Sequence, residues 1–142
     1  TQVSGEAEYR RITHDFALAA ARALRAGSPE ASFHFISGQG TNVNGRFMWA
    51  RVKGETKRDL IAEIGAVCFR PAAIDGVPPQ SEARLFKVLR PLIRLLRPFR
   101  SLYIKGEDLG RAMLLAAAEN LRSRILENRE IRDLADRAEG KV

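Results

Sequence analysis

The chain predicts an α/β fold: a small parallel sheet of about three strands flanked by helices. Segments with helical periodicity alternate with short apolar segments from one end to the other, the order that builds a parallel sheet covered by helices. The short segments are continuously apolar, aromatic or β-branched, as strands buried on both faces are. Composition agrees, since 142 residues at 45% hydrophobic and 29% charged supply one core and not two. A single domain spanning residues 1–142 is expected.

From Glu6 to Ala26 the apolar positions Tyr9, Ile12, Phe16, Ala19, Ala20, Ala23 and Leu24 recur at intervals of three and four. Acids sit in the first turn and Gly27-Ser28-Pro29 closes the pattern, so an amphipathic helix is expected. Ser32 to Ser37 reads as a buried strand ended by a turn at Gly38 and Gly40. Helical periodicity returns from Arg46 to about Ile64, where Gly65 stops it, and Ala66–Phe69 reads as a second buried strand ended by Arg70-Pro71. Gly76, Pro78 and Pro79 make Asp75–Gln80 a loop. Arg84–Phe99 is helical in period but interrupted by Pro91 and Pro98, which implies short or kinked helices. Glu107 and Asp108 begin a helix running from Leu109 to Leu121, with carboxylates at the positive end of its dipole. Arg124–Glu127 reads as a last short strand and Asn128 onward as a polar helix or frayed tail.

Several function classes are excluded or weakened by counting. No apolar run approaches the roughly 20 residues of a membrane-spanning helix, and Thr1–Gly5 has no signal-peptide character, so a cytoplasmic location is expected. One cysteine, Cys68, permits no internal disulfide, and with His14 and His34 alone beside it no structural zinc site of Cys/His type is expected. The formal charge of +7 suggests an anionic partner. Its distribution is local: Arg84, Lys87, Arg90, Arg94, Arg97, Arg100 and Lys105 fall in one stretch without an acid. Aromatics suited to stacking bases are lacking there, which makes nucleic acid an unlikely partner. The same stretch interleaves leucines and phenylalanines with its arginines, a mixture that suits an anionic membrane surface.

The segment Phe47-Met-Trp-Ala-Arg-Val-Lys-Gly-Glu-Thr56, one loop after a strand ending Ile36-Ser37-Gly38, resembles the active-site helix of atypical, epimerase-like short-chain dehydrogenases/reductases. The resemblance extends over nearly the whole chain, in order. Glu8–Arg22 is similar to the helix before that strand, Phe69-Arg-Pro71 to the strand end beside the nicotinamide, and Gly106–Met113 with Ile125–Asn128 to the family's C-terminal elements. It implies the C-terminal half of a Rossmann-like three-layer unit. It also implies a chemistry, NAD(P)-dependent reduction or epimerisation of a small carbonyl or sugar-like substrate.

Two departures from the family matter. A Tyr-x-x-x-Lys pair there lets the lysine lower the phenol's pKa and hold the ribose while the tyrosine moves a proton. Here Lys53 matches, but Trp49 stands at the tyrosine position, and an indole N–H can only donate a hydrogen bond. The family's serine is Ser37, or the register shifts and Gln39 takes its place. Lys53, Trp49, Ser37 and Gln39 are therefore the candidate catalytic residues, and Lys53, Arg70 and Pro71 the candidate cofactor contacts. The second departure is the family's N-terminal half, whose Gly-rich turn holds the pyrophosphate. Gly38-Gln-Gly40 matches it only in part, since Val43 stands where a third glycine belongs. No cofactor is expected on this chain alone, and NAD or NADP only if a complementary N-terminal half is supplied.

Plainer readings apply to the remaining residues. His14 and His34 have no partner at a ligand spacing and suit packing or surface positions. Cys68 suits an inert apolar site, and Glu107 and Asp108 suit a helix start. A sheet deprived of its first strands leaves the Phe33–Ile36 strand with one open edge, which invites a homo-oligomer or the complementary half. The alternative to a truncated oxidoreductase is a non-catalytic oligomerising or membrane-surface module that uses the basic 84–105 stretch.

Overall fold

The computed structural model describes residues 5–75 and 95–140. They form the helices α1 (Glu6–Arg10), α2 (Phe16–Gly27), α3 (Met48–Ile64), α4 (Gly106–Ala118) and α5 (Asn128–Glu139). The strands are β1 (His34–Ile36), β2 (Val67–Arg70), β3 (Ala73–Asp75), β4 (Tyr103–Lys105) and β5 (Arg124–Glu127). The protein is α/β, with a small parallel sheet of three strands in the order β1-β2-β5 and a separate two-stranded sheet, β3-β4. β1 runs parallel to β2 with Phe35 opposite Cys68, and β3 runs parallel to β4 with Ile74 opposite Ile104.

The described residues divide into two compact units. The first takes the chain up to Arg70 together with Asn120–Ile125. Its core is built where one face of α2 and one face of α3 meet the short strands. Leu18, Ala21, Leu60, Ile64, Ala66 and Cys68 are buried together, with Phe33, Phe35 and Ile61 packed around them. Small residues on α2 admit the larger side chains of α3, and β2 is buried from Val67 to Phe69, as the continuous apolar run required. Gly65, left-handed at φ 68°, ends α3.

A ladder of ion pairs flanks that core. Glu55, Asp59 and Glu63 stand one turn apart on α3, so they share a face, and they pair with Arg10, His14 and Arg22 respectively. Arg51 on the same helix pairs with Glu6. The expected uninterrupted helix from Glu6 to Ala26 is instead broken by a π-helical stretch, Arg11–Asp15. A π turn inserts one residue and rotates the residues after it, and His14, the rung to Asp59, lies inside it.

The second unit holds Pro71–Glu119 and the chain from Leu126 onward. α4 packs against α5, and Leu109, Ala112, Ala116, Ile131, Leu134 and Ala135 are buried there with Tyr103 and Ile104 of β4. Asn128, 2% exposed, ties the unit together. Its side-chain oxygen accepts from the Ala72 amide at 2.9 Å, and its amide nitrogen donates to the carbonyls of Arg100 and Tyr103 at 2.6 and 3.0 Å. Arg100 donates to both Asp133 and Asp136, so this member of the basic stretch is committed to an internal network.

Several boundaries differ from expectation. Asp75, expected in a loop, is the last residue of β3, and both β3 and β4 went unread because three-residue strands leave no periodicity to detect. The helix expected to reach Leu121 ends at Ala118, just before Asn120 enters the left-handed region at φ 50°. Leu96–Leu102 makes turns, closed by Phe99 N–H to Leu96 and Leu102 N–H to Phe99, where Pro98 denies a helix its donor. Asn128 onward is an ordered helix opened by a capping box between Glu127 and Glu130. The loop expected over 76–80 and the basic positions 84–94 lie outside the described residues, and so does the part before Leu95 of the short or kinked helices expected over Arg84–Phe99.

Gly54 is the tightest point of the first unit. A Cβ there would lie 2.5 Å from the Asn42 carbonyl carbon and 2.6 Å from the Val43 nitrogen, so the loop backbone lies directly on the helix. Alanine in a helix interior otherwise gains about 1 kcal/mol over glycine, and this overlap with rigid backbone reverses the sign. Gly54→Ala is expected to destabilise the protein by about 3 kcal/mol, measured as a lowered urea midpoint with an unchanged slope.

Candidate functional site

The loop from Gly38 to Gly45 leaves the end of β1 and returns to start α3. Ser37 is buried beneath it, its hydroxyl donating to the Phe69 carbonyl at 3.3 Å and its amide to the same oxygen at 2.9 Å. Gly38 and Gly40 take φ of 96° and 85°, values that L side chains adopt only with strain. Between them and Gly45 the loop is held from within. Thr41 Oγ1 donates to the Gly38 carbonyl, Asn44 N–H donates to Asn42 Oδ1, and Gly45 N–H donates to the Asn42 carbonyl. Asn42 N–H donates to the Ala50 carbonyl, and Arg51 reaches back to the carbonyls of Gly45 and Arg46. A loop with this many internal bonds is pre-shaped before any ligand arrives.

Between this loop and α3 lies an open groove of about 570 Å³. Its lining joins Gly40, Thr41 and Gly54 to three cationic residues, Lys57, Arg58 and Arg70, and includes no carboxylate. Val43, Ile61 and Ile125 give it an apolar side. Arg58 is tethered by its Nε to Asp59 at 2.7 Å, and Asp59 in turn meets His14 Nε2 at 2.9 Å.

The residues singled out from the sequence divide accordingly. Arg70 lines the groove. Trp49 is 42% exposed and lies parallel to Phe47, with its Cη2 beside Gly40 at the groove's edge. Gln39 is exposed at the crown of the loop. Lys53 is half-buried on α3, one turn beyond Trp49, and makes no hydrogen bond or ion pair among the described residues. Burial holds its ammonium below the usual lysine range. Pro71 is buried and belongs to the second unit. Sequence reasoning passed over Lys57, Arg58 and Gly54. The readable signal was a basic pair one turn past Lys53, following a loop rich in glycine and asparagine.

The Gly38-Gln-Gly40 turn does not make a dinucleotide grip. Such a turn delivers phosphate to the N-terminus of the helix that follows it directly, and α3 begins only at Met48. Among the described residues no cluster of three or more His, Cys, Asp or Glu side chains is arranged for a metal ion, and no helix is long and apolar enough to cross a membrane. Burial pushes the Cys68 thiol up to about 12, which keeps it protonated and inert. His34 packs its ring against Phe69 with Nε2 buried, and burial lowers its pKa. Neither the family models nor the curated proteins compared with the chain give a match.

His14 departs from the plain reading because its partner, Asp59, is distant in sequence. Burial opposes its positive charge, but hydrogen bonds to Asp59 and Asp15 outweigh that and raise its pKa above 6.5. A histidine raised in the folded state contributes stability that is full below its unfolded value and is lost as pH rises through its folded value. His14 is therefore expected to contribute a fall in the urea midpoint as pH rises above about 6.5. His14→Gln is expected to remove that dependence, read by unfolding at matched ionic strength.

Proposed function

We propose that residues 1–142 form the substrate-side half of an epimerase-like short-chain dehydrogenase/reductase unit, and that they are not an oxidoreductase by themselves. The observation that carries this reading is Lys53: a half-buried ammonium with no hydrogen bond or ion pair among the described residues, on the helix that follows β1 and Ser37. A solvated helix lysine keeps its head in water. One placed to hold a sugar hydroxyl needs a sheltered, uncommitted ammonium. Trp49 at the preceding turn shares its face and offers an indole N–H and a flat surface to a small carbonyl or sugar-like substrate. Arg70, at the end of β2, contributes positive charge next to the same loop.

The open edge of β1 adds support, because among the described residues β1 pairs with β2 alone. A Rossmann-like sheet would continue across that edge with the strands of a dinucleotide-binding half, carried on the same polypeptide or on a partner. In the family that the chain resembles, the pyrophosphate grip belongs to that half. When bound, NADH or NADPH would supply the hydride for reduction of a carbonyl. Lys53 would hold the ribose, while Trp49, lacking an accessible ionisation, would orient the substrate without exchanging a proton with it.

Residues 1–142 alone are expected to bind NAD(H) or NADP(H) no more tightly than about millimolar, equivalent to about 4 kcal/mol, by calorimetric titration. A chimera placing them behind the dinucleotide-binding half of an epimerase-like reductase is expected to bind NADPH, and Lys53→Met to weaken that binding. In the same chimera Trp49→Tyr restores a phenol one turn from Lys53 and is expected to raise turnover of small carbonyls about 100-fold, followed by NADPH absorbance. Unchanged cofactor affinity in Lys53→Met together with unchanged turnover in Trp49→Tyr would overturn the reading.

A further inference from the structure

We propose that the groove between the Gly38–Gly45 loop and α3 is a binding site for a small organic phosphate ester, held by Lys57, Arg58 and Arg70. The site does not rest on the dehydrogenase reading, in which Lys57 and Arg58 take no part. Three cationic residues converge on one concave surface whose lining includes no carboxylate. A dianion placed among cationic side chains is attracted by each of them, Arg58 keeping its ion pair with Asp59. The bland alternative, a solvated basic face, accounts for lysines spread along a helix. It does not account for cations brought from two elements, α3 and the end of β2, to the rim of one pre-shaped loop.

The loop supplies the second kind of donor. The N–H groups of Gly40 and Thr41, both in the lining, make no hydrogen bond among the described residues. Successive N–H groups in a turn with left-handed residues form a concave anion nest, and Gly38 and Gly40 are left-handed here. Arg58 is steadied by its single Nε bond to Asp59, and its terminal nitrogens make no bond among the described residues. A guanidinium presents paired donors that match the oxygens of a phosphate.

Shape and polarity define the ligand class. A tetrahedral phosphate offers three oxygens to donors on several sides, whereas a carboxylate offers two in one plane. The volume of about 570 Å³ falls within the range of small-molecule sites and exceeds what inorganic phosphate fills. Val43, Ile61 and Ile125 offer apolar contact for the organic part. Gly54 lets the loop close directly onto α3 beside the groove, because any side chain there would collide with Asn42 and Val43.

The test is an amide NMR titration of the purified chain with phenyl phosphate and, separately, inorganic phosphate, against sodium chloride at matched ionic strength. The expected result is saturable movement of the Gly40, Thr41 and Val43 amides, tighter with phenyl phosphate than with inorganic phosphate. Lys57→Gln/Arg58→Gln replaces surface helix residues with a good helix former and is expected to weaken binding about tenfold or more, with the rest of the spectrum unmoved. Arg58→Gln alone gives a smaller loss in the same direction and serves if the double variant does not fold. Sedimentation with phosphatidic-acid vesicles separates the two sources of such an ester. Capture reversed by phenyl phosphate assigns a lipid headgroup, and no capture assigns a soluble ester. Loop amides that move equally in sodium chloride, or equal affinity in the double variant, would overturn the proposal.

Discussion

The first unit depends on a contact that only glycine permits: the backbone of Asn42 and Val43 lying directly on Gly54 of α3. It sets how closely the loop after β1 approaches the helix, and so the depth of the groove beside it. Asn42 reinforces the contact by donating to Ala50 one turn earlier on the same helix, and the rest of the loop is closed by Asn and Thr side chains. Lys53 lies between those two anchor points, and Trp49 immediately before the first. Their positions relative to the loop are therefore properties of the loop–helix contact and not of the helix alone.

Electrostatics acts on the same helix from its other faces. The acids Glu55, Asp59 and Glu63 pair with Arg10, His14 and Arg22, Asp59 also holds Arg58, and Lys57 and Arg58 line the groove side of α3. Pairs this exposed each contribute little, about 1 kcal/mol or less. Their larger effect is on where charge ends up: negative charge is neutralised along the seam with the N-terminal helical segment from Glu6 to Gly27, and positive charge lies where the loop turns. A +7 chain could carry its excess anywhere; part of it converges here, while Arg100 is absorbed by Asp133 and Asp136.

Much of the architecture was legible from the residues. The amphipathic character of the N-terminal segment, the strands read at 32–37 and 66–69, the stop at Gly65 and the terminal strand all follow from periodicity and turn chemistry, because each is decided by neighbours within a few positions. The strands β3 and β4 were illegible for the converse reason. Each has three residues, and what makes it a strand is its parallel partner about thirty positions away. The π-helical stretch was likewise hidden, since nothing in Arg11–Asp15 disfavours an ordinary α turn, and its His14 finds Asp59 only across the fold.

The candidate site divides along the same line. The sequence by itself determined which groups are available: a lysine one turn from a tryptophan, a loop rich in glycine and asparagine, a strand ending in arginine and proline, and a local excess of positive charge. These are matters of chemical type and spacing, which no packing can alter. Only the tertiary structure decided which of them meet. Ser37 is turned under the loop to the Phe69 carbonyl, Lys53 is half-buried, and Lys57, Arg58 and Arg70 line one groove. The reason is physical: burial and convergence depend on distances between elements, and those distances are set by long-range contacts such as the one at Gly54.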